Sequence, residues 1–193
     1  MNISIVNILD FIATAGIEFV QNYLQSFSCS KNPEIEDFIR NKAVDFALKK
    51  ISVTYLLVDD ERNILAYFSL THKVVEIGTE NLSNTTKKRL EKFSTLNSSR
   101  SCFSASAFLI AQFGKNFTAG LNESISGIQL MDYVFSILTK AQHLVGGGLV
   151  FLECEEKSEL LDFYTNSKNN FKIFGQRFSE SEKVKYIQLL RFF

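Results

Sequence analysis

The residues best suited to chemistry lie between Phe113 and Asn166. A polar loop leaves an apolar run at Lys115 and ends at Ser126-Gly127, where a helical pattern opens. A loop that joins a strand end to a helix N-terminus is a place to hold an anion, because unpaired backbone N–H groups point outward there. Lys115 sets a cation at the start of that loop. Other chemistries lack their parts. His72 and His143 are the only histidines, and neither has cysteines or carboxylates at ligand spacing, so no metal site is expected. No Ser-His-Asp arrangement or glycine-rich nucleotide loop competes. Gly146-Gly147-Gly148 precedes a strand rather than a helix and reads as a tight turn. His143 reads as a partner for the negative end of its helix, and His72 as an exposed strand residue.

The elements that must position these residues alternate strand, helix, strand, helix over Ala105 to Ile173. Ala107 to Phe113 is apolar but for Gln112, as in a strand buried on both faces. Ser126 is an N-cap with Gly127 at the first helical position, and Ile128, Met131, Phe135 and Leu138 then recur at helical spacing, widened by Tyr133 and Val134. Leu149 to Leu152 reads as a second buried strand, and a short helix from Lys157 carries Phe163 and Tyr164. Upstream, Ile3 to Ile8 is a strand. Leu9 to Phe27 is a helix with a kink or break at Gly16. Asn32 or Ser30 caps a helix that has Pro33 in its first turn and buries Ile35, Phe38, Ile39, Ala43 and Phe46. Val53–Val58 and Ile64–Val75 form a hairpin around Asp59–Asn63. Gly78–Ser101 is a polar excursion with a helix over Thr85–Phe93 and a mobile segment at Asn97–Ser101; it reads as padding or as a lid. Two final strands, Lys172–Phe178 and Val184–Phe193, flank a turn at Ser179–Glu182.

At 193 residues and 46% apolar, with 19 Phe and a single Pro, the chain is read as one α/β domain over 1–193 with a sizeable core. No run is apolar and long enough to span a membrane, and no secretory signal opens the chain. Cys29, Cys102 and Cys154 are odd in number and far apart, which suits free thiols in a reducing, cytoplasmic setting. Cys154 reads as a buried apolar thiol rather than a nucleophile. A formal net charge of zero disfavours nonspecific gripping of nucleic acid. The densest basic patch, Lys87-Lys88-Arg89, sits beside Glu91 and reads as a solvated helix face.

In this order of elements, and in "FSCSKNPEIEDFIRNKA", "TYLLVDDERNILAYFSL" and "FLIAQFGKN", the sequence resembles the GNAT acyl-CoA N-acyltransferases, over roughly Phe27 to Gln176. Within that family it is similar to the branch of toxin acetyltransferases from bacterial toxin–antitoxin pairs. The resemblance implies a mixed sheet of six to seven strands with helices on both faces and a V-shaped splay between the fourth and fifth strands. It implies acetyl-CoA as cosubstrate, no metal, and direct acyl transfer to an amine. Phe113, Gly114 and Lys115 would lie at the edge that pairs with the pantetheine arm. The family's pyrophosphate loop, Gln/Arg-x-x-Gly-x-Gly/Ala, aligns with Asn122-Glu123-Ser124-Ile125-Ser126-Gly127. Only the last glycine matches: Asn122 stands for Gln/Arg and Ile125 for the first glycine. Ser124, Ile125, Ser126, Gly127 and Ile128 would then supply the cradle. Tyr164, in "LLDFYTNSKNNF", resembles the tyrosine of Phe-Tyr-x-x-x-Gly-Phe, which implies a general acid to the leaving thiolate; two extra residues precede Phe171, and Asn170 replaces the glycine. Asn166 would touch the cofactor. Glu153, at the end of the fifth strand of that pattern, would accept the acceptor's proton directly or through water, or else is a solvated carboxylate.

The acceptor implied is an amine-bearing small molecule, a peptide or aminoacyl-tRNA, with the Ser28–Pro33 turn, the first two helices and the 78–101 excursion on its side. An antitoxin partner and a homodimer through the C-terminal strands are also implied. A second class of reading is a GNAT-like scaffold that binds a partner or ligand without turnover, motivated by Asn122 and Ile125.

Overall fold

The computed structural model describes residues 2–80 and 82–193. Its strands are β1 (Ser4–Asn7), β2 (Val53–Val58), β3 (Ile64–Gly78), β4 (Thr95–Asn97), β5 (Cys102–Lys115), β6 (Leu149–Glu155), β7 (Lys172–Ser179) and β8 (Val184–Phe192). The helices are α1 (Ile8–Ala15), α2 (Ile17–Leu24), α3 (Pro33–Asp37), α4 (Ala43–Leu48), α5 (Asn84–Leu90), α6 (Gly127–Val145) and α7 (Ser158–Thr165). The hydrogen-bonded strand order is β1-β2-β3-β5-β6-β8-β7, with β4 paired to β5. Among the described residues the sheet has eight strands, in keeping with an expected count of about six to seven. The additional one is β4, a three-residue strand inside the 78–101 excursion, too short and polar to show a period.

Two compact units make up the chain, residues 1–71 with 110–137 and residues 72–109 with 138–193. In the first, β1, β2 and β3 pair antiparallel, with Tyr55 opposite both Asn7 and Phe68. The expected long first helix is two helices. Gly16 separates them with φ +85 and ψ 157, a backbone state that side chains resist. Asn32 caps α3 by accepting from the N–H groups of Glu34 and Ile35, with Pro33 at the first turn as read from the sequence. A π-helical turn over Phe38–Lys42 then joins α3 to α4, a feature without a sequence signature. Val20, Leu24, Phe27, Ile39, Ala43, Leu56 and Tyr67 form this unit's core; Phe27 meets Tyr67 edge-on at 5.1 Å. The Tyr67 hydroxyl donates to the Ile35 carbonyl at 2.7 Å, so its one polar atom is satisfied inside the core.

The second unit holds the parallel contact. β5 pairs with β6 at Phe108↔Val150 and Leu109↔Phe151, and this short register fits strands that splay. β6 then runs antiparallel to β8 from Leu149↔Phe192 to Glu155↔Tyr186, and β7 pairs antiparallel with β8 on its other side. Ile77, Leu90, Phe103, Ala105, Phe151 and Leu190 lie in the core here, with Leu82 packed against it. The excursion is thus anchored: Leu90 of α5 is fully buried, and Arg89 of the basic patch stacks over Phe192 at 4.0 Å. Of Asn97–Ser101, expected to be mobile, Asn97 ends β4 paired with Cys102 and residues 98–101 form the turn of the β4–β5 hairpin. The turn before β6 brings backbone close to rings. A Cβ at Gly147 would lie 2.7 Å from the Phe108 ring, and one at Gly148 would lie 2.3 Å from that of Phe93.

Candidate active site

The loop after β5 is held from inside. Lys115 Nζ donates to the carbonyls of Asn122 at 2.7 Å and Ile125 at 3.1 Å. The lysine therefore folds the loop onto itself and keeps its positive charge at the loop's base. Between these anchors the chain makes a 3₁₀ segment, Thr118–Glu123, with Ala119 (φ 48) and Gly120 (φ 80) in the left-handed region. Ile125, the residue in place of a glycine, is buried, and Glu123 is exposed. The side chain at 125 thus points away from solvent, and the acid at 123 is turned out.

Ser126 caps α6 as read from the sequence. Its hydroxyl oxygen accepts from Gln129 N–H at 3.2 Å, and Gln129 Oε1 accepts from Ser126 N–H at 2.9 Å. This reciprocal box uses two of the first-turn N–H groups. Those of Gly127 and Ile128 come too early in α6 for any intrahelical carbonyl to reach them. A 19-residue helix with two such donors at its positive end, above a loop that carries a lysine, is an electropositive cradle suited to phosphate. The buried face of α6 centres on Leu130, Met131, Val134 and Leu138, and Ile128 and Phe135 are only half-buried.

Gly114 has a packing role that the sequence did not reveal. A Cβ there would lie 2.4 Å from Ile35 Cγ2, so α3 sits directly against the end of β5. Isoleucine is stiff at χ1 and yields poorly. Gly114→Ala is expected to cost about 1–3 kcal/mol in chemical denaturation; an unchanged midpoint would show that Ile35 moves aside freely. Phe113, the other residue expected at this edge, is half-buried.

In the second unit, α7 presents Tyr164 from its last turn. The ring is buried and meets Phe163 at 5.0 Å and Phe171 at 6.0 Å, both edge-on. Burial, and then the neighbouring Cys154, push the phenol well above its ordinary value, so it keeps its proton. Asn166 ends the helix. Its Oδ1 accepts from the N–H groups of Lys168 and Asn169, both at 2.9 Å, and its Nδ2 donates to the Phe163 carbonyl at 2.6 Å. The Asn166 side chain is thereby committed to the turn, and the buried Asn169 donates to the same Phe163 carbonyl. Asn170, in place of glycine, takes φ 52, which asparagine tolerates.

Glu153 is neither free nor simply solvated. Its Oε2 accepts from Arg177 Nε at 2.7 Å, its Oε1 accepts from Gln188 at 2.8 Å, and Arg177 stacks over Tyr186 at 4.6 Å. Burial alone would raise its carboxyl, but the bonds from Arg177 and Gln188 and the charges of Arg177 and Lys73 outweigh burial and hold it below the usual carboxylate range. A carboxylate so held is a poor base for an ammonium ion. Because the folded-state value is depressed, the stabilisation is present above the unfolded value and is lost as pH falls through the folded one. Glu153→Gln is therefore expected to flatten the acid limb of stability below about pH 4.3, by about 1–2 kcal/mol. An acid limb identical to that of the unaltered protein would count against this ion pair.

Cys154 is buried, and burial followed by Glu155 pushes its thiol up to about 11, which leaves no thiolate for attack at neutral pH. His72 is exposed, edge-on to Phe108, and His143 is exposed in the last turn of α6. Among the described residues no cluster of His, Cys, Asp or Glu suits a metal, and no helix is long and apolar enough to cross a membrane.

No family model matches the sequence, and no curated protein matches it by sequence. Solved structures do match. A tyrosine-to-phenylalanine mutant of KacT aligns with a TM-score of 0.65 at 17% identity, over 97% of this chain and 95% of that one. AtaT complexed with acetyl-methionyl-tRNAfMet aligns at 0.62 and 17%, over 96% and 94%. AtaTR bound with acetyl-CoA aligns at 0.57 and 16%, over 97% and 93%. The short parallel β5–β6 register, the loop leading into α6 and the Phe163–Tyr164 helix thus belong to a chain that has the GNAT fold, shared with KacT and AtaT.

Proposed function

We propose that the protein is a cytoplasmic N-acetyltransferase that moves the acetyl group of acetyl-CoA directly to an amine, with residues 1–193 acting as one acetyltransferase domain. The observation that carries this reading is the loop after β5. Lys115 closes it from within, and Gly127 and Ile128 open α6 with N–H groups that no intrahelical carbonyl reaches. The 3′,5′-ADP pyrophosphate of CoA is the anion such a cradle suits. The departures at Asn122 and Ile125 do not remove it, because the backbone supplies the donors. Phe113, Gly114 and Lys115 end the strand against which the pantetheine would pair. In the reaction the amine nitrogen bonds to the thioester carbon, the carbon–sulfur bond breaks, and Tyr164 donates to the sulfur as it gains charge. Glu153, held as a carboxylate by Arg177, is better suited to orient a polar group than to take the amine's proton, which passes to water.

For the acceptor we favour the amino group of aminoacyl-tRNA. Support comes from the AtaT structure with acetyl-methionyl-tRNAfMet, whose chain this one covers at 94%. The AtaT–AtaR structures support a protein partner of the antitoxin kind. Calorimetric titration with acetyl-CoA is the test, followed by incubation with charged tRNA and acid-gel analysis. One-site binding and an acetylated aminoacyl-tRNA are expected. Absence of heat at millimolar acetyl-CoA would overturn the enzyme reading in favour of a silent scaffold. Binding without tRNA acetylation would send the search to small amines and peptides.

A further inference from the structure

Asn116, the first residue after β5, is buried in the first unit, yet every polar atom of its side chain is used. Its Oδ1 accepts from Ser28 N–H at 2.9 Å and from Thr118 N–H at 3.0 Å. Its Nδ2 donates to the Ile64 carbonyl at 2.7 Å. One side chain thus binds three segments: the turn after α2, the start of β3 and the loop after β5. The neighbouring residues repeat the link, with Phe117 N–H donating to the Ser28 carbonyl at 2.7 Å and the Thr118 hydroxyl to the Ser26 carbonyl at 3.1 Å.

The far side of that turn is held as firmly. Glu36 Oε2 accepts from the Ser28 hydroxyl at 2.9 Å and from Cys29 N–H at 2.7 Å. Arg40, inside the π-helical turn, pairs with Glu36 Oε1 and donates through Nε to the Phe27 carbonyl at 2.8 Å. Ser28 is gripped from both directions: its N–H and carbonyl bond to Asn116 and Phe117 of the loop after β5, and its hydroxyl bonds to Glu36.

We propose that Asn116 and Glu36 are positioning residues in a relay that couples the conformation of the loop after β5 to that of the Ser28–Pro33 turn. Resting on the acetyltransferase reading, this means that phosphate binding in the loop sets the turn on the acceptor side, and that an acceptor on the turn tightens the cofactor, since linkage is reciprocal. The order of binding would follow from this coupling rather than from contact between the two ligands.

Amide hydrogen exchange on the full chain tests the relay without any ligand. Glu36→Gln removes charge at the turn, well away from the loop in sequence. It is expected to speed exchange about tenfold or more at 28–29 and also at 118–124, since a lost charge-assisted bond is of that order. In the double variant Glu36→Gln/Asn116→Ala, Glu36→Gln should add less to the exchange rate at 118–124 than it does alone, because Asn116 carries much of the relay and the bonds of Phe117 and Thr118 to the turn carry the rest. Wild-type rates at 118–124 in Glu36→Gln, or additive effects in the double variant, would overturn the proposal, and Glu36→Gln decides the matter if Asn116→Ala fails to fold. With acetyl-CoA added, wild-type protein should slow at both 118–124 and 26–31. Slowing at the loop alone overturns the coupling. Failure of acetyl-CoA to bind overturns the cofactor reading and leaves the ligand-free comparison to judge the relay.

Discussion

Tyr164→Phe is expected to lower turnover about 10²–10⁴-fold while leaving the affinity for acetyl-CoA within about twofold. The hydroxyl is the only atom removed, and the ring contacts with Phe163 and Phe171 survive. The raised phenol shapes the expectation. Burial keeps Tyr164 protonated, so the donor is present at every physiological pH. A phenol that acidifies so reluctantly donates a hydrogen bond to sulfur most strongly as charge develops there, rather than surrendering its proton early. Loss should therefore appear in the chemical step and not in ground-state binding. Single-turnover kinetics with calorimetry of the same variant checks it. Turnover within threefold of the unaltered enzyme would make Tyr164 a packing residue at the sheet edge.

The elements were legible where side-chain period and cap chemistry act locally. Asn32 with Pro33, Ser126 with Gly127, and the Asp59–Asn63 hairpin turn all declare themselves within a few residues. So did the break at Gly16, since glycine is the residue that takes φ +85 at little cost. What stayed hidden depends on partners distant in sequence. β4 exists because Thr95–Asn97 finds β5, and its own three residues carry no period. The π-helical turn reflects how Phe38 and Ile39 are drawn into the core, which no spacing rule encodes. In the candidate site, Ser126 and Gly127 were readable as a helix start. The partners of Glu153 were not: Arg177 and Gln188 arrive from two other strands, 24 and 35 residues away. Lys115 shows in sequence only as a cation at the start of the loop; its bonds to the carbonyls of Asn122 and Ile125 depend on how the loop folds.

Lys115→Met is expected to weaken acetyl-CoA binding about 10- to 100-fold, or about 1.4–2.8 kcal/mol, with turnover at saturating cofactor within about threefold. Methionine keeps the length and the apolar stem but donates nothing, so the carbonyls of Asn122 and Ile125 lose a shared charged donor. Bonds to charged groups contribute about 1.5–3 kcal/mol each, and water recovers part of this because the site is only half-buried. With the staple gone, the loop samples states in which the donors of Gly127 and Ile128 stay fixed on α6 but the approach to them is no longer held open. The apparent affinity falls by the fraction of time the loop is competent. The cation's own attraction for phosphate is lost as well, and salt separates the two contributions. The electrostatic part shrinks as ionic strength rises, whereas the part due to loop order persists. Lys115→Arg tests geometry: it restores charge but carries a planar fork in place of a compact ammonium, so it should recover less than half of the lost free energy. Affinity within twofold of the unaltered protein for Lys115→Met would mean that the 3₁₀ segment and the Ser126–Gln129 box hold the cradle without the lysine.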